Sequence, residues 1–230
     1  DNWNNGVLYI DNCLIEADPD VVPSEYTIKN GTRLIADYAF DGCKSLTSIT
    51  IPEGVTEIGN FAFDGCSGLT SITIPESVRS IGLNAFTDTA LYKNKDNWNN
   101  GVLYIDNCLI EANPDVIPSE YTIREGTRVI AAGAFWRCEN LTSITIPESV
   151  TKIGYGAFSG CSGLTSVTIP ESVTKIGHDA FRGCKNLTSI TLPKSLLTLI
   201  GDEFFDDCSS LTITKTKKSS EPQPDDDLPF

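Results

Sequence analysis

The sequence predicts a β-rich solenoid, an elongated body in which similar short coils stack on one another. Large apolar residues recur every 23 positions, and a fixed period of this length is typical of repeat proteins whose coils bury their apolar faces against each other. Each period also contains a run of alternating apolar and polar residues that ends at a proline. The phenylalanines show the period clearly: Phe40, Phe63 and Phe86, then Phe135, Phe158 and Phe181.

One coil of the second half illustrates the elements that each period predicts. Val167 and Ile169 alternate with polar residues, which is the pattern of a strand with one apolar face. Pro170 ends this strand, because proline has no N–H for a ladder and disfavours a helical residue before it. Val173 and Ile176 then indicate a short second extended segment.

The end of the same coil predicts a tight turn. Gly177 permits a bend, and residues 178–184 are too few for an ordinary helix. We therefore expect a single helical or 3₁₀ turn in which Ala180, Phe181 and Cys184 point inward. A lone coil would be unfolded, because ordering costs about 1 to 2 kcal/mol per residue and its few apolar side chains return too little.

Two motifs recur along the chain, Leu-x-x-Ile-x-Ile-Pro and then Val-x-x-Ile-Gly-x-x-Ala-Phe-x-x-Cys. From about Tyr26 to Leu211, with one insertion, the chain resembles the BspA-like leucine-rich repeat of bacterial and protist surface proteins. The resemblance implies a leucine-rich-repeat solenoid of β-rich α/β class, right-handed, with one parallel sheet and short helical or 3₁₀ turns on the other side. It also implies a secreted or cell-surface protein linked to adhesion.

A second, longer period contains the repeats. Residues 1–17 recur unchanged at 96–112, an offset of 95, of which three coils account for 69 and leave an insert of 26. Within the insert, two apolar runs flank Asp11-Asn12, residues that tolerate positive φ. The sequence therefore predicts two inserted β-hairpins, one over 7–15 and a repeat of it over 102–110.

These periods predict one elongated body over 1–214. We expect this order of parts: a hairpin or cap at 1–23, three coils at 24–92, a hairpin insert at 93–118, four coils with a C-terminal cap at 119–214, and an acidic, Pro-rich tail or linker at 215–230.

Both ends of the chain leave alternatives open. The chain begins in mid-pattern, so the hairpin at 7–15 is either a purpose-made cap or part of a longer array. The tail has the composition of a linker that cannot bury enough apolar surface to order itself. If it is ordered, Leu228, Pro229 and Phe230 are expected to dock on this chain or on a neighbouring one.

Charge and hydropathy exclude several classes of partner. The formal net charge is −14 with a sequence pI near 4.4, which disfavours nucleic acid and anionic membrane surfaces. No apolar run is long enough for a membrane-spanning helix. No signal peptide is visible, which does not argue for the cytoplasm because a removed signal leaves the same sequence.

The eight cysteines predict a ladder of buried thiols rather than disulfides. Six of them occupy one equivalent position of successive coils, so their Cβ vectors run parallel, which is poor geometry for a bridge. Some bridging remains the alternative, since an even count in an exported protein also fits disulfides. The absence of a Cys-x-x-Cys pair argues against zinc. The six are Cys43, Cys66, Cys138, Cys161, Cys184 and Cys208.

The sequence predicts no catalytic site, no cofactor and no metal. His178 is the single histidine, at a position that other coils fill with asparagine, leucine or tyrosine, so we interpret it as a surface residue. No triad, phosphate loop or paired-carboxylate motif accompanies it. The acidic stretches, including 225–227, lack the spaced ligands of a calcium loop. Three glycosylation sequons, at Asn30, Asn140 and Asn186, matter only in an exported eukaryotic protein.

A partner is expected on the edge formed by the turns. The outward strand positions are uniformly serine and threonine, whereas the turn positions differ from coil to coil and include exposed aromatics. Drift on an unconstrained surface is the alternative explanation. We predict a non-catalytic binding scaffold for protein or glycan, or else a structural unit that self-associates through the N-terminal hairpin and the tail. The candidate contact residues are Phe61, Trp136, Tyr155, His178 and Arg182.

Overall fold

The computed structural model describes residues 2–198, 201, 204–208 and 211–215. The strands are short, and an α-helix, α1, spans Ala90–Lys93 and leads into a 3₁₀ turn at Lys95–Asn97. The strands of the first half are β1 Trp3–Asn4, β2 Val7–Ile10, β3 Cys13–Ala17, β4 Glu25–Thr27, β5 Leu34–Ile35, β6 Ser48–Thr50, β7 Glu57–Ile58, β8 Ser71–Thr73 and β9 Ser80–Ile81.

The second half repeats this order and adds two strands at its end. Its strands are β10 Trp98–Asn99, β11 Val102–Ile105, β12 Cys108–Ala112, β13 Glu120–Thr122, β14 Val129–Ile130, β15 Ser143–Thr145, β16 Lys152–Ile153, β17 Ser166–Thr168, β18 Lys175–Ile176, β19 Ser189–Leu192 and β20 Thr212–Lys215. The predicted tail beyond Lys215 and its proposed docking lie outside the described residues, as do parts of the predicted cap at 199–200 and 202–203.

The solenoid prediction is confirmed, but the expectation of one parallel sheet needs correction. Each coil contributes two strands, and these build two separate parallel ladders. The first ladder contains the Ser-x-Thr strands, in the orders β4-β6-β8 and β13-β15-β17-β19-β20. The second ladder contains the two-residue strands, in the orders β3-β5-β7-β9 and β12-β14-β16-β18. The second extended segment of each coil is long enough to pair with its neighbours, which accounts for the second ladder.

The ladders keep the repeat in register. Ile49 lies opposite Ile72, and Val167 lies opposite Ile190, so equivalent residues of successive coils stack directly. Central residues of the strands are buried while the flanking serine and threonine are largely exposed. The predicted alternation is therefore confirmed, and its inward side chains form the apolar interior of the solenoid.

The turns form a third column between the ladders. The expected inward positions are confirmed, since Ala180, Phe181 and Cys184 are fully buried. The turn is a series of overlapping hydrogen-bonded bends rather than an α-helix. Phenylalanine rings of successive coils stack, with centroids 5.2 Å apart for Phe40 and Phe63 and 5.1 Å apart for Phe135 and Phe158.

Backbone bonds join each turn to the next. The N–H of Phe40 donates to the carbonyl of Ala62 at 2.7 Å, and the N–H of Phe63 donates to that of Ala85 at 2.8 Å. The thiols add a parallel set: Cys66 Sγ donates to the carbonyl of Phe40 at 3.0 Å. Burial raises the pKa of the Cys66 thiol to about 12, which keeps it protonated as a donor. All eight cysteines are free thiols in this structure.

Both predicted hairpins are confirmed. β2 and β3 pair antiparallel around Asp11, whose φ is +52°, and β11 and β12 pair in the same way around Asp106 at +49°. The last strand of each hairpin then pairs in parallel with the next coil, β3 with β5 and β12 with β14. Each hairpin thus replaces one coil of the second ladder.

Candidate functional site

The hairpin β10-β11-β12 divides the solenoid into two stacks and joins them. Its two faces belong to different apolar cores: Leu103, Ile105 and Ile110 pack with the first stack, whereas Val102 and Leu109 pack with the second. An inserted hairpin has two buried faces because coils lie on both sides of it. We call the region where the stacks meet the junction.

Specific hydrogen bonds fix the junction. The carboxylate of Asp106 accepts the N–H of Ile74 at 2.7 Å, and the guanidinium of Arg128 donates to the carbonyl of Glu76 at 2.6 Å. The N–H of Ala132 donates to the carbonyl of Ile81 at 2.9 Å. The second stack is therefore held against the last coil of the first by bonds at several points.

The helix α1 also contacts the central hairpin at the junction. Thr89 caps its N-terminus by accepting the N–H of Tyr92 at 3.0 Å. The Trp98 indole N–H donates to the carbonyl of Tyr92 at 2.8 Å, and the two rings meet edge to face at 5.2 Å. The Tyr92 hydroxyl donates to Glu111 at 2.8 Å. Burial raises the pKa of Glu111, while that hydrogen bond opposes the rise.

On the turn side, the hydrogen-bonded column is interrupted at the junction. In the described residues no backbone carbonyl accepts the N–H groups of Asn84, Phe86 or Asp88, although the equivalent groups one coil earlier are all bonded. The next turn is satisfied differently, because Ala112 of the hairpin donates to the carbonyl of Ala134 at 2.6 Å. Within the described part of the chain, the last turn of the first stack therefore has three alternate N–H groups without a carbonyl partner.

Two of these donors, Asn84 and Phe86, border a cleft of about 630 Å³, which we call the junction cleft. Residues 82–87 form one wall, and Tyr92 with residues 110–112 contributes the floor. The opposite wall carries Trp136 and Tyr155. Other lining residues are Pro114, Ala132, Gly133, Gly156, Ser159, Asp179 and Arg182.

Polar contacts hold the opposite wall in place. The Tyr155 hydroxyl donates to Asp179 at 2.9 Å, and Arg182 lies 3.9 Å from the same carboxylate. The hydrogen bond to Asp179 raises the pKa of Tyr155. The Arg137 guanidinium lies 4.9 Å above the Trp136 ring, which is itself 56% exposed. The wall thus offers two aromatic surfaces and a cation within one opening.

The structure brings together three of the five candidate contact residues, since Trp136, Tyr155 and Arg182 line the junction cleft. His178 borders a different groove and stacks on Phe204 at 5.2 Å. Phe61 lies on the first stack and stacks on Tyr38 at 5.0 Å.

Sequence reasoning missed the other half of the cleft. The uncovered N–H groups of Asn84 and Phe86 and the Tyr92–Glu111 pair belong to it, but the sequence shows no sign of them. The signal that could have located it was the insert at 93–118, because an insertion into a stack leaves a turn without its usual neighbour. In the described ranges, no group of three or more His, Cys, Asp or Glu side chains could hold a metal ion. None of the helices described there is long and apolar enough to cross a membrane.

Several solved structures are similar to this chain. Similar solved structures include a leucine rich cell surface protein from Faecalibacterium prausnitzii, with 23% identity, 90% of this chain and 84% of that chain covered, and a TM-score of 0.44. A leucine-rich repeat protein from Eubacterium ventriosum shows 22% identity, 91% and 82% coverage, and a TM-score of 0.45. The pneumococcal vaccine antigen PcpA shows 18% identity, 86% and 70% coverage, and a TM-score of 0.41.

Among curated proteins, none matches the chain. The sequence profile described as the BspA type leucine rich repeat region matches six copies, over residues 23–112 and 119–222. Since these ranges cover most of its length, the chain belongs to the BspA type leucine-rich repeat family.

Proposed function

We propose that this protein is a non-catalytic scaffold, secreted or exposed on a cell surface, that binds another protein through the turn edge at the junction cleft. The observation that carries the proposal is the interrupted column of turn hydrogen bonds. Neighbouring turns satisfy their N–H groups within the stack, whereas Asn84 and Phe86, whose N–H groups have no carbonyl partner in the described residues, line the cleft. Membership of the BspA type family supports a secreted or cell-surface localisation, because this repeat is typical of surface proteins.

An extended segment of a partner fits these donors. Alternate residues of an extended chain lie about 7 Å apart and point their carbonyls to the same side. Such a segment can accept from Asn84 and Phe86 in turn, as a strand does when it adds to a sheet edge. Backbone pairing of this kind gives affinity with little dependence on sequence, so the side-chain contacts decide which partner is bound.

The opposite wall supplies those side-chain contacts. Trp136 and Tyr155 offer flat apolar surfaces of the type that dominates binding energy at protein interfaces. Arg182 can donate to a carboxylate of the partner, since its contact with Asp179 is long and exposed. The preferred segment therefore carries an apolar residue followed by an acidic one. Phe61 and His178 do not line this cleft.

A peptide library tests the proposal. Displayed random peptides selected on the wild-type protein are measured against Trp136→Ala, Arg182→Ala and the control Tyr38→Ala, which removes an exposed aromatic on the first stack. We expect at least a tenfold loss of binding for the two cleft variants and none for the control. Peptides that bind all four proteins equally, or lose binding only at Tyr38, would contradict the cleft as the site.

A second candidate function, end-to-end assembly, is favoured by the hairpin. The internal copy is buried between two stacks, and the N-terminal copy presents the same residues with one face uncovered. A coil end from another molecule could cover Trp3 and Ile10 in the way that the first stack covers Trp98 and Ile105.

Light scattering over a range of concentrations separates the two functions. Assembly predicts a mass that grows with concentration in the full chain and falls back with Ile10→Asp. A chain cut after Thr214 shows whether the tail contributes. If the full chain stays monomeric and neither change has an effect, assembly is rejected and the scaffold proposal is unaffected.

A further inference from the structure

A second groove lies at the junction, on the side of the second ladder, and its charge differs from that of the whole protein. It has a volume of about 440 Å³ and contains Arg79, Lys152 and Lys175, with Glu57 as its one acidic lining residue. The chain as a whole carries a net charge of −14. We call this the basic groove, a local positive site on an acidic surface.

The fold brings the three cations together. Lys152 and Lys175 are direct partners in the parallel pair β16–β18, so their side chains start from backbones about 4.8 Å apart. Arg79 precedes β9, and the bond from the Ala132 N–H to the Ile81 carbonyl holds β9 beside the second stack. The groove therefore exists only because the two stacks meet here.

None of these cations takes part in the ion pairs found among the described residues. In the part of the chain that the structure describes, the ion pairs within 4.0 Å join Lys93 to Asp88 and Arg182 to Asp179. Neither involves a cation of the groove. Burial, followed by the charges of Lys175 and Arg79, lowers the pKa of Lys152. Three cations and one carboxylate leave the groove with an excess of positive charge, and an anionic ligand would reduce the repulsion between the cations.

The rim of the groove suits a sugar. Thr56 and Ser80 provide hydroxyl groups, and Tyr155 and His178 provide ring faces. The isoleucines Ile81 and Ile153 are buried in the stack, so the groove offers a peptide no exposed aliphatic anchor. Three cations match one or two anionic groups, whereas the net charge of the protein opposes a long polyanion such as nucleic acid.

We propose that the basic groove binds an oxyanion group, a carboxylate or sulfate, carried by an acidic glycan. Lys152 and Lys175 contact the anion from one side and Arg79 contacts it from the other, with the guanidinium able to donate two parallel hydrogen bonds. The sugar ring lies toward Tyr155 and His178. Glu57 sets the selectivity against densely charged chains by repelling a second anion at its end of the groove.

Titration calorimetry with defined probes tests this site. A short uronic-acid oligosaccharide is compared with the same oligosaccharide reduced at its carboxyl groups, with poly-glutamate and with sodium sulfate. The variants are Lys152→Gln/Lys175→Gln, Glu57→Gln and the control Lys44→Gln, which removes an exposed cation of the first stack. Circular dichroism checks that each variant is folded.

We expect the uronic-acid probe to bind and the reduced probe to be inert. Affinity falls at least tenfold in Lys152→Gln/Lys175→Gln, rises severalfold in Glu57→Gln and is unchanged in Lys44→Gln. Equal affinity for the double variant and the control overturns the site, as does absence of wild-type binding at millimolar probe. Tighter binding of poly-glutamate reassigns the groove to an acidic protein segment, and sulfate binding without the oligosaccharide means an adventitious ion only.

Discussion

The two copies of the hairpin have one sequence and two environments. Trp3 and Ile10 are 49% and 48% exposed, whereas Trp98 is half-buried and Ile105 is only 5% exposed. The internal copy has a stack of coils on each face, and the N-terminal copy has one. The comparison teaches that in a solenoid the neighbours of a residue, more than its identity, decide how much it contributes to stability.

The largest difference in stability between the two hairpin copies is expected when aspartate replaces the equivalent isoleucines Ile10 and Ile105. Ile105→Asp places an uncompensated carboxylate in the core of the first stack, which we expect to destabilise folding by about 3 to 5 kcal/mol. The matched change Ile10→Asp puts the same group in water and should cost less than about 0.5 kcal/mol. Urea unfolding followed by circular dichroism measures both. Equal costs would mean that the junction does not bury the internal hairpin.

Removal of the indole ring should produce a smaller difference in stability between the two hairpin copies. Trp98→Ala loses the edge-to-face contact with Tyr92 and the 2.8 Å bond to its carbonyl, a cost of about 2 kcal/mol. Trp3→Ala removes an exposed ring and should change stability by less than about 0.5 kcal/mol. The same unfolding measurement applies, and a large cost at Trp3 would indicate that the N-terminal hairpin is covered by another molecule.

Thiol reactivity compares the copies without any substitution. Cys108 is buried and burial raises its pKa to about 12, whereas Cys13 is partly exposed. Alkylation of the native protein near pH 8, followed by mass spectrometry, should modify Cys13 at least tenfold faster than Cys108. Comparable rates at the two sites would show that the junction opens readily.

The denatured protein provides the control for that experiment. In guanidinium without reductant we expect at least six titratable thiols, as the ladder of buried thiols requires. Two or fewer would reject the ladder in favour of disulfides.

The smallest effect concerns pH. Burial raises the pKa of Glu111 in the folded state, so its stabilising contribution is complete below about pH 4.3, the usual range for glutamate, and is lost as the pH rises through the raised value. Glu111→Gln keeps an acceptor for Tyr92 and should stabilise the protein slightly at pH 7, with a smaller difference near pH 4. The matched control is Glu16→Gln, which replaces an exposed carboxylate of the N-terminal hairpin. Unfolding curves at both pH values test this, and a loss of stability at pH 7 would contradict it.

The buried positions of the repeats could be predicted from the sequence, but the different exposures of the two hairpins could not. The period of 23 placed Phe63, Cys66 and Ile72 correctly in the interior, because stacking in register repeats one environment at every coil. The sequence indicated the second ladder only as a short extended segment in each coil. Strands of two residues, such as Lys175 and Ile176, are too short to show a period-two pattern. Identical hairpins carry no sequence difference at all, so nothing in residues 1–17 and 96–112 could show that their exposures differ.

The candidate site was predictable only in part. Trp136, Tyr155 and Arg182 stood out as exposed positions that vary between coils, but their meeting in one cleft depends on the insert between two stacks. The N–H groups of Asn84 and Phe86 have no sequence signal, because every residue other than proline carries one. The missing neighbour, not the residue type, makes them available.

The hydrogen bonds from turn to turn have a mechanical consequence. They run along the stack, as the bonds of both ladders do, so a pull along the long axis loads one coil interface at a time rather than all of them together. Under such tension the protein should lengthen in steps as coils peel from an end, and each 23-residue coil releases roughly 75 Å of chain. A chain of this kind behaves as an extensible tether that yields gradually under load.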